Sequence, residues 1–326
     1  MTKILSYKNE RDNVIIVASL IISIVITNSF VIFSPDEDMR FYNASLTSTI
    51  AVGLALVICI IQIYRYKRSG IKKLEKREYS LSKYTNSERP HHYYNNNKMH
   101  CSICLFLALW FAAHAIWTFQ YQQSSAFSID DVLWFVGYGF FGYFLYSLYY
   151  HFFRREFEPF LLILIAIIIV IVLVFIVDII VSTLRLLSTQ TMDISVLLLT
   201  VAYPILDAIL IFPAILIFWA ARKVSSRHRN ATLEQKMEVN QEEDKSSSSS
   251  LAIVSSIWIL LLCIAMILFA IGDTGVAYIT AYGPDIVLRD VWIFDIFYNA
   301  AYLCLAASLI GYRYFSFSFN RTDILH

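Results

Sequence analysis

Asp295-Ile-Phe-Tyr-Asn-Ala-Ala-Tyr302 opens the last hydrophobic segment of the chain and places a carboxylate among residues suited to lipid. Tyr298 and Tyr302 follow Asp295 at i+3 and i+7, so the three lie on one face of a helix. The pattern occurs once earlier, as Asp131-Val-Leu-Trp-Phe-Val-Gly-Tyr138, again opening a hydrophobic segment. The two stripes stand about half the chain apart, which predicts a duplicated helical bundle whose halves meet along them.

The surrounding composition sets the medium. Of 326 residues, 58% are hydrophobic and only 16% charged, against about 25% charged in an average soluble domain. Mean hydropathy is +0.60. This predicts an all-α polytopic membrane bundle. Apolar runs long enough to span lipid occur near 13–34, 44–64, 101–121, 131–153, 159–184, 194–220, 251–280 and 287–312. Eight transmembrane helices are therefore expected, in a 4+4 parallel repeat. The first run starts only at Asn13 and is long enough to span, so no cleavable signal is read. The organisation follows: helices one and two within 1–64, a basic loop at 65–100, a hairpin at 101–153, helices five and six at 154–220, a flexible linker at 221–250, a second hairpin at 251–314 and a tail at 315–326.

Positive charge orients the bundle. Of 26 Lys and Arg, 23 fall in the N-terminus, the 65–99 loop, the Arg154-Arg155 turn, the 221–250 loop and the tail; only Arg40, Arg185 and Arg289 fall on the other side. By the positive-inside rule both termini and both long loops are cytoplasmic, in a cell membrane. The outer loops are short and acidic. Asn43-Ala-Ser matches a glycosylation acceptor but lies against a span, so a chance match is the expectation. The 65–99 loop reads as a solvated juxtamembrane segment touching anionic lipid. Ser246 to Ser250 close a mixed-charge linker of disordered character.

Ionisable residues inside spans face the bundle interior by default, because a charge in lipid is costly. Asp178, Asp207, Asp273 and Asp295 lie in predicted spans, with His114 the only histidine well inside one and no Lys or Arg to pair with them. Counted along the chain, Asp207 falls near mid-membrane and the others in the outer third to half. Asp131 falls at the interface as a helix-start residue, and Asp295 about two turns deeper in its segment. The functional reading is a polar cavity opening outward, lined by His114, Tyr203, Asp207, Asp273, Asp295, Tyr298 and Tyr302. The structural reading of the same residues is a set of interhelical hydrogen bonds that hold the bundle.

Other chemistries fit less well. An intramembrane aspartyl protease needs two aspartates sharing a proton; Asp207 and Asp273 are the candidates, but Ala270-Ile-Gly-Asp273 lacks the expected first glycine and the two are counted to different depths. Di-haem ligation would use His100, His114 and His151, with nothing to serve His114. A retinal protein needs an intramembrane lysine, which no span contains. His100-Cys101-Ser-Ile-Cys104, near His91 and His92, offers too few placed ligands for zinc; two small thiols on a helix are the plainer reading. Pro204 and Pro213 loosen span six. No catalytic residue, metal or cofactor is expected.

A short repeat accompanies the stripes. Trp110 precedes His114 by four positions, as Phe269 precedes Asp273, and each helix then leads through an outer loop to a stripe. This hairpin, a Tyr203-Pro204-Ile-Leu-Asp207 helix and a second hairpin together resemble the multi-spanning sensory input regions of bacterial signalling proteins, which precede diguanylate cyclase, phosphodiesterase or histidine kinase domains. The residues carrying the resemblance are Trp110, Trp117, Asp131, Trp134, Tyr138, Tyr203, Pro204, Asp207, Asp273, Asp295 and Tyr302, over roughly 100–314. It implies a sensor of a small-molecule ligand. The fused output domain is missing here, so a separate cytoplasmic partner is expected; nucleic acid is not. A secondary transporter using Asp207, Asp273 and Asp295 as a proton or cation relay is the alternative, and a structural membrane subunit the third.

Overall fold

A computed structural model describes residues 2–81, 92–120, 128–152, 159–188, 194–238, 245–282 and 292–322. Among these residues the chain is all-helical: α1 (Thr2–Ile32), α2 (Glu37–Leu81), α3 (His92–Gln120), α4 (Ile129–Phe152), α5 (Pro159–Ser188), α6 (Ile194–Glu238), α7 (Lys245–Tyr282) and α8 (Trp292–Thr322). Seven helices are long and apolar enough to cross a bilayer, over Ile15–Ile32, Asp38–Arg65, Lys98–Phe119, Ile129–Tyr150, Leu198–Lys223, Ile257–Ile279 and Trp292–Ile310. They mark a membrane-embedded, multi-pass protein. The outer faces suit that medium: Ile21, Ile22, Val25 and Ile26 on α1 and Ile171 and Val174 on α5 are all exposed. Apolar side chains at such positions are stable only where the solvent is itself apolar.

Local sequence explains several helix starts. Asp36 Oδ1 accepts the Met39 backbone N–H at 2.7 Å, capping α2. Asp131 Oδ2 accepts the Ser128 backbone N–H at 3.0 Å, the reciprocal arm of a capping box. Asp131 is thus the helix-start residue expected. Pro159 opens α5, where its missing N–H costs nothing. Asn43, the residue of the glycosylation-like triplet, donates through Nδ2 to Ser34 Oγ at 2.8 Å.

Two differences from the sequence reading concern the long connections. The 65–100 stretch was expected as a loop, yet α2 runs to Leu81 and α3 starts at His92. The 221–250 stretch was expected as a flexible linker, yet α6 runs to Glu238 and α7 starts at Lys245. Both stretches are rich in Lys, Arg and Glu, which are strong helix formers; their charge signals the end of lipid, not the end of the helix. Residues 82–91 of the first stretch and 239–244 of the second lie outside the described residues, as do the outer acid Asp193 and the turn containing Arg154 and Arg155.

Each helix packs on its chain neighbour for α1–α2, α2–α3, α3–α4, α5–α6, α6–α7 and α7–α8, and α8 also packs on α2, α6 on α4, and α1 on both α7 and α8. The core runs through α2, α3, α4, α6, α7 and α8. Trp110 is its centre. Its ring meets Phe106 at 4.7 Å, Tyr138 at 5.1 Å, Phe269 at 5.2 Å and Tyr302 at 5.9 Å between centroids. All four contacts are edge-to-face, with interplanar angles of 60–83°, the arrangement that the ring quadrupoles favour. Its indole N–H donates to the Trp134 carbonyl at 3.1 Å. Gly137 makes this possible, because a Cβ there would collide with the indole.

Candidate functional site

The polar residues of the spans gather in one layer beside the Trp110 cluster. Its centre is Tyr138 on α4. The Tyr138 hydroxyl reaches Asp207 Oδ1 on α6 at 2.9 Å and also bonds Asp273 Oδ2 on α7. Tyr298 on α8 donates to the other oxygen, Asp273 Oδ1. Four helices therefore converge on two carboxyl groups. Gly272 permits the approach of Tyr298: a Cβ there would stand 2.9 Å from the ring atoms Cε1 and Cζ.

Counting hydrogens defines what the cluster holds. A tyrosine hydroxyl owns one hydrogen, so Tyr138 donates to one carboxyl only. Asp207 Oδ2 is buried and finds no donor among the described residues. All these contacts are satisfied together only when one proton resides on the carboxyl pair, the arrangement of two acids sharing a site.

Around this centre the remaining groups pair off. Tyr203 on α6 donates to Asp131 Oδ1 at 2.8 Å, so Asp131 caps its own helix and ties it to α6. His114 Nε2 on α3 and the Tyr302 hydroxyl on α8 are 2.6 Å apart, both buried. The His114 ring also meets Trp134 edge-on at 5.6 Å. On the far side of Tyr302 a second polar group is neutral. Asn299 on α8 accepts from Ser48 Oγ at 2.8 Å and donates to Thr47 Oγ1 at 2.9 Å, both on α2. Thr118 joins Ser45 at 2.7 Å and Thr49 at 3.0 Å.

The seven residues expected to line a cavity thus fall into place unequally. Asp207, Asp273 and Tyr298 form one cluster; Tyr203 joins its edge through Asp131; His114 and Tyr302 form a second pair. Asp295 is buried, but joins neither, and its Oδ2 has no partner among the described residues. It lies in the first turn of α8 as described; residues 283–291, where the expected segment begins, lie outside the described residues. The expected difference in depth between Asp207 and Asp273 is also corrected, since one hydroxyl bonds both. Depth counted in residues neglects helix tilt and the reach of a tyrosine. Asp178 on α5 is exposed, outside the layer's buried set.

Sequence reading placed the start of the Tyr138 stripe at the interface and left Tyr138 out of the site. It missed Asn299, Ser48 and Thr47, whose small polar side chains carry no charge to attract notice. Among the described residues no group of three or more His, Cys, Asp or Glu could hold a metal ion. His91 lies outside the described residues. No family model, curated protein or solved structure matches the chain.

Proposed function

We propose that this protein is an integral membrane sensory or ligand-binding module whose site is the Asp207–Tyr138–Asp273–Tyr298 cluster. Its ligand is a proton or a small cation, and its output is a helix shift read by a separate cytoplasmic partner. The observation that carries this reading is the Tyr138 hydroxyl, which bonds α6 and α7 at once through carboxyls that need a shared proton or cation. Removing that positive charge sets two carboxylates against each other and leaves Tyr138 able to hold only one. The seam between α4 and α6–α7 then loosens. A conformational response needs this kind of differential contact in its two states.

The reading includes eight spans, with both termini and the 66–97 and 221–250 segments on the cytoplasmic side, where basic residues concentrate. The eighth span is α5, a 30-residue helix of almost wholly apolar sequence. It also includes a 4+4 parallel repeat. Exchanging α1–α4 with α5–α8 converts the pairings α1–α2, α2–α3, α3–α4 and α2–α8 into α5–α6, α6–α7, α7–α8 and α6–α4, all of which occur. The same exchange converts His114–Tyr302 into Asp273–Tyr138. α1 and α5 depart from the pattern: α1 packs on α7 and α8 where the exchange would set α5 on α3 and α4, and α5 packs on α7 where the exchange would set α1 on α3.

Infrared difference spectroscopy of the protein in nanodiscs tests the proposal, stepping pH or adding ammonium ion. The expected result is a carboxyl C=O change accompanied by an amide change, with both lost in Asp207→Asn. A carboxyl region silent over the whole range would overturn it.

A second reading has an observation of its own. Tyr298, Asp273, Tyr138 and Asp207 form an unbroken hydrogen-bonded chain, which suits proton transfer in a transporter. Proton-driven flux in liposomes, abolished by Asp273→Asn, would favour it over the sensor.

A further inference from the structure

Two charged groups that take no part in the acidic cluster stand near each other along α2 and α8. Asp295 is 7% exposed, and its Oδ2 has no partner among the described residues. The stripe on α4 shows what is missing. The aspartate seven residues before Tyr138 has its donor, the Tyr203 hydroxyl at 2.8 Å; the Oδ2 of the aspartate seven residues before Tyr302 has none. A buried carboxyl oxygen without a donor is costly.

The register of the two helices shows what faces it. Ser48 on α2 bonds Asn299 on α8, and nearer the start of both helices Arg40 lies over the Trp292 ring, 5.6 Å from its centroid. The helices therefore run in the same direction and nearly in step. One turn before Ser48 and Asn299, on the same faces, stand Ala44 and Asp295. Ala44 is fully buried and presents only a methyl group to the carboxyl. Arg40 and Trp292 stand about 5 Å further along the axis. Arg40 gives its Nε–H to the Ser34 carbonyl at 3.3 Å, and the Trp292 ring steadies its guanidinium. Its terminal nitrogens have no hydrogen-bond or ion-pair partner among the described residues.

We propose that this end of the α2–α8 seam binds a small α-amino acid as its zwitterion, the ammonium on Asp295 and the carboxylate on Arg40. The ammonium supplies the donor that Asp295 lacks, in a charge-assisted bond. The guanidinium receives the carboxylate with two parallel N–H groups, and the ring beneath it fixes their direction. A proton would satisfy Asp295 alone and leave the Arg40 donors idle, and an inorganic cation would repel Arg40. The bonds of Asn299, one turn deeper, form the floor, and close packing around Ala44 keeps the ligand small. The site does not rest on the cluster at Asp207 and Asp273.

Binding of tritiated glycine and L-alanine to the full chain in nanodiscs tests this, with methylamine and acetate as competitors of single charge. Saturable binding is expected, displaced by unlabelled glycine but not by methylamine or acetate at the same concentration. Asp295→Asn and Arg40→Gln should each weaken it roughly tenfold or more, the loss of one charge-assisted bond. Arg40→Lys, which keeps the charge without the fork, should fall between, and Ala44→Leu should fill the space and abolish binding. Gly139→Ala should leave it unchanged. No saturable binding of either amino acid to the unaltered chain would overturn the proposal. So would full affinity in Asp295→Asn at an unaltered unfolding midpoint, or displacement by methylamine as effective as that by glycine, which would make this a site for an amine alone.

Discussion

Tyr138 and Asp207 stand 69 residues apart in the chain and 2.9 Å apart in space, and the hydroxyl that joins them also holds Asp273. Tyr138→Phe removes both bonds and strands carboxyl oxygens in a buried site. It should lower stability by about 1–3 kcal/mol, the cost of an unsatisfied buried group. Tyr298→Phe removes one bond and leaves Asp273 its other partner, so it should cost less, about 0.6–1.7 kcal/mol. Thermal unfolding of the two variants in one detergent checks the order.

The two carboxyls should tolerate amide replacement differently. Asn at 207 can give an N–H to the Tyr138 oxygen, doing what a shared proton does. Asp273 accepts from two tyrosines, and Asn there turns one acceptor into a donor facing a hydroxyl. Asp273→Asn should therefore be the more destabilising, by about 1–3 kcal/mol, and Asp207→Asn close to neutral. Equal losses in unfolding midpoint would contradict this proton count.

Gly272 and Gly139 offer a paired comparison. A Cβ on Gly272 meets the Tyr298 ring, while one on Gly139 meets nothing within 4 Å. Gly272→Ala should push Tyr298 off Asp273 and match Tyr298→Phe in stability. Gly139→Ala should be neutral or stabilising by about 0.5–1 kcal/mol, the usual gain for Ala over Gly inside a helix. A destabilising Gly139→Ala would argue against the open space beside it.

His114 and Tyr302 make a bond of 2.6 Å that mirrors the one between Asp273 and Tyr138. A double-mutant cycle on His114→Ala and Tyr302→Phe should return a coupling of about 0.6–1.7 kcal/mol, the range of interhelical hydrogen bonds in membranes. Additive losses would mean that the two groups do not bond.

The helices themselves were legible because apolar runs of membrane length leave few alternatives, and α1 to α8 fall where those runs do. Asp207, Asp273 and Asp295 were legible as interior because lipid rejects charge; Asp178, exposed on α5, departs from that expectation. Partner choice was not. Whether Asp273 meets Asp207 or Asp295 depends on helix tilt and rotation, which no local pattern states. Tyr138 illustrates the difficulty: a tyrosine seven residues into a stripe has the same sequence signature at a headgroup interface as at the heart of a cluster. Asn299 was invisible for the opposite reason, being an uncharged residue among alanines that becomes significant only once Ser48 and Thr47 stand opposite it.

The bonds from Asn299 to Ser48 and Thr47 contain no group that gains or loses charge in the physiological range. On the proposed function the seam between α2 and α8 would thus be indifferent to acid and to cations, whereas the seam between α4 and α6–α7 would not. A layer held fast at one edge and releasable at the other swings instead of parting. On the proposed function the amide of Asn299 would be a pivot pin, and the travel of α4 would be greatest on the side of the bundle farthest from it.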